Sequence, residues 1–228
     1  MKISKSTLDI LKNFANINPS IKIKPGTELR TITPQRNLMA EVQIEDEFSN
    51  QINIYDLNEF LRVFALFPDD PEIQFGDKFM NIVGKNGRSS CRYVYADPEA
   101  ISGVPDKRLS LPNVDVSFKL TAEDLKYTLS FANSLACPEI AFESDGQEMR
   151  VSTVDVKNDT HSTQSLNLAD GNGQKYYLVF KTEILSKLML RNYDVEISGS
   201  TFFAKFSSDD KKLTYWLAVE KDQSKFGE

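Results

Sequence analysis

The chain has 228 residues, 40% hydrophobic and 26% charged, with 27 Lys and Arg against 33 Asp and Glu for a net charge of −6. That is enough apolar material for one large core or two small ones, and it excludes a disordered chain. It also excludes a protein that holds nucleic acid by bulk charge, though not a local basic stripe on an acidic body.

In chain order, the opening stretch MKISKSTLDILKN lacks the apolar core of a signal peptide, so export is not expected, and no run is long enough for a membrane helix. Residues 4–17 have helical period, with Leu8, Leu11, Phe14 and Ala15 on one face. Strand patterns follow in SIKIK, LMAEVQI and QINIY. A second helix is expected over 56–66, with Leu57, Phe60, Leu61 and Phe64 inward. FMNIV and CRYVY read as strands. A third helix spans 121–134, with Leu125, Thr128, Leu129 and Ala132 as its stripe and Thr121 with Asp124 as a capping-box-like start. EIAFE, MRVSTV and KYYLVF are strands, and a fourth helix is expected over 182–191, capped by Thr182, with Ile184, Leu185 and Leu188 inward. FFAKF and KLTYWLAV close the chain, and PGT, KNG, SDG, DGNG and SSDDKK supply turns. Few short helices among many strands predict an α+β fold with antiparallel sheet.

The two halves repeat. Lys2–Asn16 (KISKSTLDILKNFAN) matches 119–133 (KLTAEDLKYTLSFAN) at an offset of 117, and both end Phe-Ala-Asn. Gly26-Thr-Glu-Leu-Arg30 falls on Gly146-Gln-Glu-Met-Arg150, and later Phe60-Leu61 meets Ile184-Leu185 while Glu72-Ile73 meets Glu196-Ile197. Each half reads helix, strands, helix, strands. The proline-bearing stretch with Pro98, Pro105 and Pro112 lies between them. The expected organisation is a first domain over 1–96, a connector over 97–117 and a second, similar domain over 118–228, each with antiparallel sheet and two short helices.

Little here supports an enzyme. The only histidine, His161, sits in the polar stretch KNDTHSTQS and reads as solvated loop, so a catalytic triad has one residue to draw on. Cys91 and Cys137 are too few for a disulfide scaffold or a zinc site and read as small buried residues. Asp170-Gly-Asn-Gly173 lacks the lysine of a phosphate loop and reads as a hairpin turn, as the pairs Asp69-Asp70 and Asp209-Asp210 read as turn residues. No metal and no cofactor is expected. The sharper pattern is on the polar helix faces: Lys5 and Lys12 with Asp9 and Asn16 on the first, Arg62 on the second, Lys126 with Ser130 and Asn133 on the third, and Lys187 and Arg191, with Lys181 just before, on the fourth. Acids cluster instead in first turns (Asp56, Glu59, Glu123, Asp124, Glu183), where they complement the helix dipole.

LKNFANIN at 11–18, IYDLNEFL at 54–61 and AEDL at 122–125 resemble the sliding clamps of T-even-type bacteriophages, the processivity factors of phage DNA polymerases. The resemblance runs over essentially the whole chain. It implies a DNA-clamp fold assembling into a homotrimeric ring, with helices lining a central hole and sheets outside. It further implies sequence-independent, topological linkage to double-stranded DNA, tethering of the replicative polymerase, opening by an ATP-dependent clamp loader, possible late transcription factors as partners, and a place in the host cytoplasm. Lys5, Lys12, Arg62, Lys126, Lys181, Lys187 and Arg191 would then face DNA. Partner peptides would enter an apolar pocket beside the connector, placed at Met39, Leu109, Leu111, Val114 and Trp216. The competing reading is a β-rich phage structural or assembly protein that does not encircle DNA.

Overall fold

A computed structural model describes residues 1–67, 69–101 and 103–227. The chain forms two compact units, Met1–Lys107 and Arg108–Glu228, and the break falls inside the stretch 97–117. All strand pairs given below are antiparallel, as the sequence predicts.

The first unit runs α1 (Lys5–Ile17), β1 (Ile21–Ile23), β2 (Gly26–Ile32), β3 (Leu38–Phe48), β4 (Ile52–Ile54), α2 (Leu57–Ala65), β5 (Glu72–Phe75), β6 (Phe79–Val83) and β7 (Ser90–Val94). Strand β1 pairs with β4, β2 with β3, and β5, β6 and β7 form a meander. Helix α1 lies against α2, β2 and β3. Leu11, Phe14, Leu29, Phe48, Phe60 and Met80 fill the core. Each such side chain contributes roughly 1.5–3 kcal/mol on leaving water.

Helix α1 begins at the N-cap Ser4, whose Oγ accepts the Thr7 N–H at 3.2 Å. Its first turn holds no acid. Asp46 of β3 serves instead: its Oδ2 accepts from the Ser4 N–H at 2.8 Å and from the Ser4 hydroxyl at 2.7 Å. Partial burial alone would raise the Asp46 carboxyl, but the Thr7 and Ser4 hydrogen bonds outweigh it and hold it below the usual carboxylate range. In α2 the Asp56 carboxylate caps Glu59 N–H at 2.9 Å. The Tyr93 hydroxyl donates to the Asp56 carbonyl, and burial, with the Glu59 and Asp56 charges, pushes its pKa up to about 12.

The second unit runs β8 (Val116–Leu120), α3 (Ala122–Ser134), β9 (Glu139–Asp145), β10 (Glu148–Val154), β11 (Gln164–Asp170), β12 (Lys175–Lys181), α4 (Thr182–Leu185), β13 (Tyr193–Ser198), β14 (Phe203–Ser208), β15 (Leu213–Ala218) and β16 (Lys225–Phe226). One sheet is ordered β11-β10-β9-β12-β16, and β8, β13, β14 and β15 are consecutive neighbours in another. Helix α3 lies on β10 and β11. Edge-on contacts link Phe142 to Phe180 and Phe180 to Phe206, at 5.6 and 6.1 Å. As read from the sequence, Thr121 caps α3, accepting the Asp124 N–H at 3.0 Å.

The fourth helix departs from expectation. It is a single turn, not 182–191, and its N-cap is Lys181, with no side-chain cap bond. Thr182 is no cap; its hydroxyl donates to the Cys137 carbonyl. The chain turns because side chains take over backbone groups: Met189 N–H donates to the Tyr215 hydroxyl at 3.3 Å, and the Tyr193 hydroxyl donates to the Met189 carbonyl at 2.6 Å. Leu188 is buried all the same, so the apolar spacing is satisfied without a helix. Other differences are smaller. Leu8 is half-buried, and Thr7, Ile10 and Ile17 complete the α1 face. Cys91 is half-exposed, whereas Cys137 is buried.

The N-caps Ser4 and Thr121 stand 117 residues apart, so α1 and α3 occupy the same place in the repeat. They bury different flanks. Ile10 and Phe14 are buried, yet their counterparts Tyr127 and Phe131 are 47% and 36% exposed, with ring centroids 4.9 Å apart.

Replacing Ser4 with Ala is expected to cost about 1 kcal/mol in urea unfolding. Because the folded-state pKa of Asp46 is depressed, its contribution is complete above the ordinary carboxylate value of about 4 and is lost as pH falls through the lower folded value. Asp46→Asn should therefore be less stable at neutral pH and lose less stability on acidification; parallel acid limbs in the two chains would contradict this.

Candidate nucleic-acid interface

The buried face of each helix fixes what its other face presents. On α1, Lys5, Lys12 and Asn16 are exposed opposite Thr7, Ile10, Leu11 and Phe14. Lys12 pairs with Asp9 at 3.0 Å across one turn. On α2, Asn58 and Arg62 share a strip, Arg62 lying 4.0 Å from Asp56. On α3, Lys126, Ser130 and Asn133 form the strip, and the Ser130 hydroxyl donates to the Lys126 carbonyl. Lys5 and Lys126 have no ion-pair partner among the described residues. The Lys12 and Arg62 pairs are solvent-exposed, and such pairs are worth about 0–1 kcal/mol, so an incoming phosphate can displace them.

The other three nominated cations sit elsewhere. Lys181 ends β12, 3.9 Å from Glu220. Lys187 lies past the single turn of α4 and is half-buried. Arg191 stands 3.5 Å from Asp210. The Ser208 hydroxyl, with the Lys212 N–H and Arg191, holds the Asp210 carboxyl low against the effect of burial. The structure thus places four of the seven, Lys5, Lys12, Arg62 and Lys126, on helices; Lys187 and Arg191 fall off them because α4 ends early, and Lys181, expected just before the fourth helix, is its N-cap.

The residues named for a peptide pocket divide by exposure. Met39 and Trp216 are buried. Trp216 stacks on Phe203 at 5.8 Å, with the Lys205 ammonium 5.9 Å from its ring. Leu109 and Val114 are exposed and Leu111 is half-buried. The sequence reading missed Leu66 and Val94, 80% and 63% exposed, and the Tyr127–Phe131 pair. The signal for that pair was available: two aromatics four residues apart, off the apolar stripe.

His161 is half-buried, not fully solvated, and its Nδ1 lies 3.8 Å from Cys137 Sγ and 2.9 Å from the Ser162 carbonyl. No group of three or more metal-ligating side chains occurs among the described residues, and none of the described helices is long and apolar enough to cross a membrane. The helix strips offer donors and positive charge and no nucleophile paired with a base. That suits sequence-independent contact with phosphates, which carry no base information.

The family model described as DNA polymerase processivity factor matches residues 2–102. The sliding clamp of Escherichia phage RB69 is 31% identical, over 98% of this chain and 99% of that protein. The sliding clamp of Vibrio phage KVP40 is 30% identical, over 96% of this chain and 99% of its own length. Among solved structures, PCNA from Thermococcus kodakaraensis superimposes with a TM-score of 0.66 at 15% identity, covering 95% of this chain and 96% of that one. The Helicobacter pylori β clamp gives 0.70 at 14% identity, covering 96% of this chain and 64% of its own. These two likenesses speak to fold alone.

Exposed cations without structural partners leave stability alone when removed. Lys5→Ala and Lys126→Ala are expected to shift unfolding free energy by less than about 0.5 kcal/mol, whereas Tyr193→Phe, which orphans the Met189 carbonyl, should cost about 1–3 kcal/mol by urea titration.

Proposed function

The chain belongs to the sliding clamps of T-even-type phages, processivity factors of DNA polymerase, and from that premise we propose that three copies close into a ring around duplex DNA and tether the replicative polymerase. The observation that carries this reading is the set of cations on α1, α2 and α3, set opposite their buried faces on a chain of net charge −6. Tight phosphate contacts would oppose sliding and weaken steeply with salt. Topological linkage depends on neither. A modest cationic lining centres the duplex, and the acidic remainder keeps DNA off the outer surface. A loader opens the ring with ATP, the clamp itself hydrolyses nothing, and both act in the host cytoplasm. One solved relative is described as PCNA with the C-terminal region of FEN-1 bound. By the same logic partner peptides, including those of late transcription factors, dock on the apolar connector side chains Leu109, Leu111 and Val114.

Ring closure has a natural pair of edges. In the first unit β7 ends its meander, with Val94 bare and Leu66 bare at the end of α2. In the second, β11 ends its sheet beside α3, with Tyr127 and Phe131 bare. Residues 72–95 carry four bases and two acids, and residues 139–170 carry seven acids and two bases, so the edges are complementary.

Light scattering should give the mass of three chains, and Leu66→Glu should give one. Wild-type rings should persist on nicked circular DNA in the presence of loader and leave once it is linearised. Charge reversal at Lys5, Lys12, Arg62 and Lys126 together should shorten retention on the circle. A chain that stays monomeric at high concentration and never associates with circles would return the structural-protein reading.

A further inference from the structure

The three long helices share a feature that charge does not explain. Each places an asparagine on the same strip as its cation: Asn16 four residues after Lys12, Asn58 four before Arg62, and Asn133 seven after Lys126. All three are exposed. Asn58 lies in the first turn of α2, and Asn16 and Asn133 in the last turns of α1 and α3, where an asparagine side chain can bond to nearby backbone groups. Here none of the three side chains bonds to another described residue. Asn16 and Asn133 also hold the same position of the repeat, penultimate in α1 and α3, and are the only polar identity shared by the two outward strips. The counterparts of Lys5, Asp9 and Lys12 are Ala122, Lys126 and Leu129.

We infer that Asn16, Asn58 and Asn133 donate side-chain amide hydrogen bonds to the phosphodiester backbone of the encircled duplex, as a neutral second set of contacts interleaved with the cations. This rests on the clamp reading and adds the chemistry of the lining to it. A neutral donor releases no counterion when it meets a phosphate, so its contribution does not vary with salt as a lysine's does. With the Lys12 and Arg62 charges already paired to carboxylates, such donors add contact without adding an electrostatic grip. Interchangeable phosphates accept them equally at every step along the duplex.

The test is the binding of a fluorescent blunt-ended duplex oligonucleotide to the assembled full-length protein over a range of salt concentrations. Three proteins are compared: wild type, the triple variant Asn16→Ala, Asn58→Ala, Asn133→Ala, and the triple variant Lys12→Ala, Arg62→Ala, Lys126→Ala. Alanine is the better helix former, so the asparagine variant keeps its helices, and an undiminished melting temperature verifies this. The asparagine variant is expected to bind on the order of tenfold more weakly at every salt concentration with an unchanged slope of log affinity against log salt. The cation variant should show a shallower slope. Wild-type affinity in the asparagine variant, or a changed slope, overturns the inference while leaving the clamp reading intact if the cation variant still loses slope. Loss of neither affinity nor slope in either variant, with rings confirmed by mass, overturns both.

Discussion

The burial of a single stripe on each helix is what the rest of the molecule depends on. Leu11 and Phe14 on α1, Phe60 and Phe64 on α2, and Leu125 and Leu129 on α3 leave water, and several kcal/mol of burial from each stripe fix how the helix is rolled. Once the roll is fixed, the opposite strip has no packing to do. Polar and charged side chains there escape the requirement to be paired in the fold, and that freedom makes them available to a ligand. The sheets contribute rigidity: antiparallel pairing joins nearly every strand to a neighbour, and chains of edge-on aromatics tie the sheets of the second unit together.

Local neutralisation shapes the electrostatics more than total charge does. Asp9 sits on Lys12, Asp56 near Arg62, Glu220 near Lys181 and Asp210 on Arg191. These are surface pairs of small individual worth. Their collective effect is to convert a potentially strong field into a patterned weak one. A protein that must stay on a polyanion and still move along it benefits from that pattern, since strong unpaired lysine rows would hold it in place.

The helices that sequence reading recovered are those with a cap and a complete apolar period. Ser4, Asp56 and Thr121 announce α1, α2 and α3, and each cap bond is present. The fourth was overread because Ile184, Leu185 and Leu188 have helical spacing, while the groups that end the helix, Tyr193 and Tyr215, act from strands later in the chain. Single-sequence periodicity carries no trace of such tertiary bonds. Strand β11 was missed for a different reason: QSLNLAD, at a sheet edge, contains no β-branched or aromatic residue. β8, Val116–Leu120, straddles the boundary drawn at 117 between connector and second domain. Of the candidate site, the placement of Lys5, Lys12, Arg62 and Lys126 on exposed helix faces was legible from helical geometry alone. Lys187 and Arg191 lost their helical placement with the helix that was to carry them, and Met39 and Trp216, named for a pocket, are buried.

One feature of the first helix reaches further than its own stability. Most helices quiet the positive end of their dipole with acids from their own first turn, as α2 and α3 do with Glu59 and with Glu123 and Asp124. Helix α1 takes its counter-charge from Asp46, on a strand behind it. The carboxylate is thereby moved off the helix surface, and Asp9 is the only acid α1 carries against Lys5 and Lys12. The first helix of each repeat, matched in length and cap position, consequently presents a different local potential at its start: α1 is left basic there and α3 acidic.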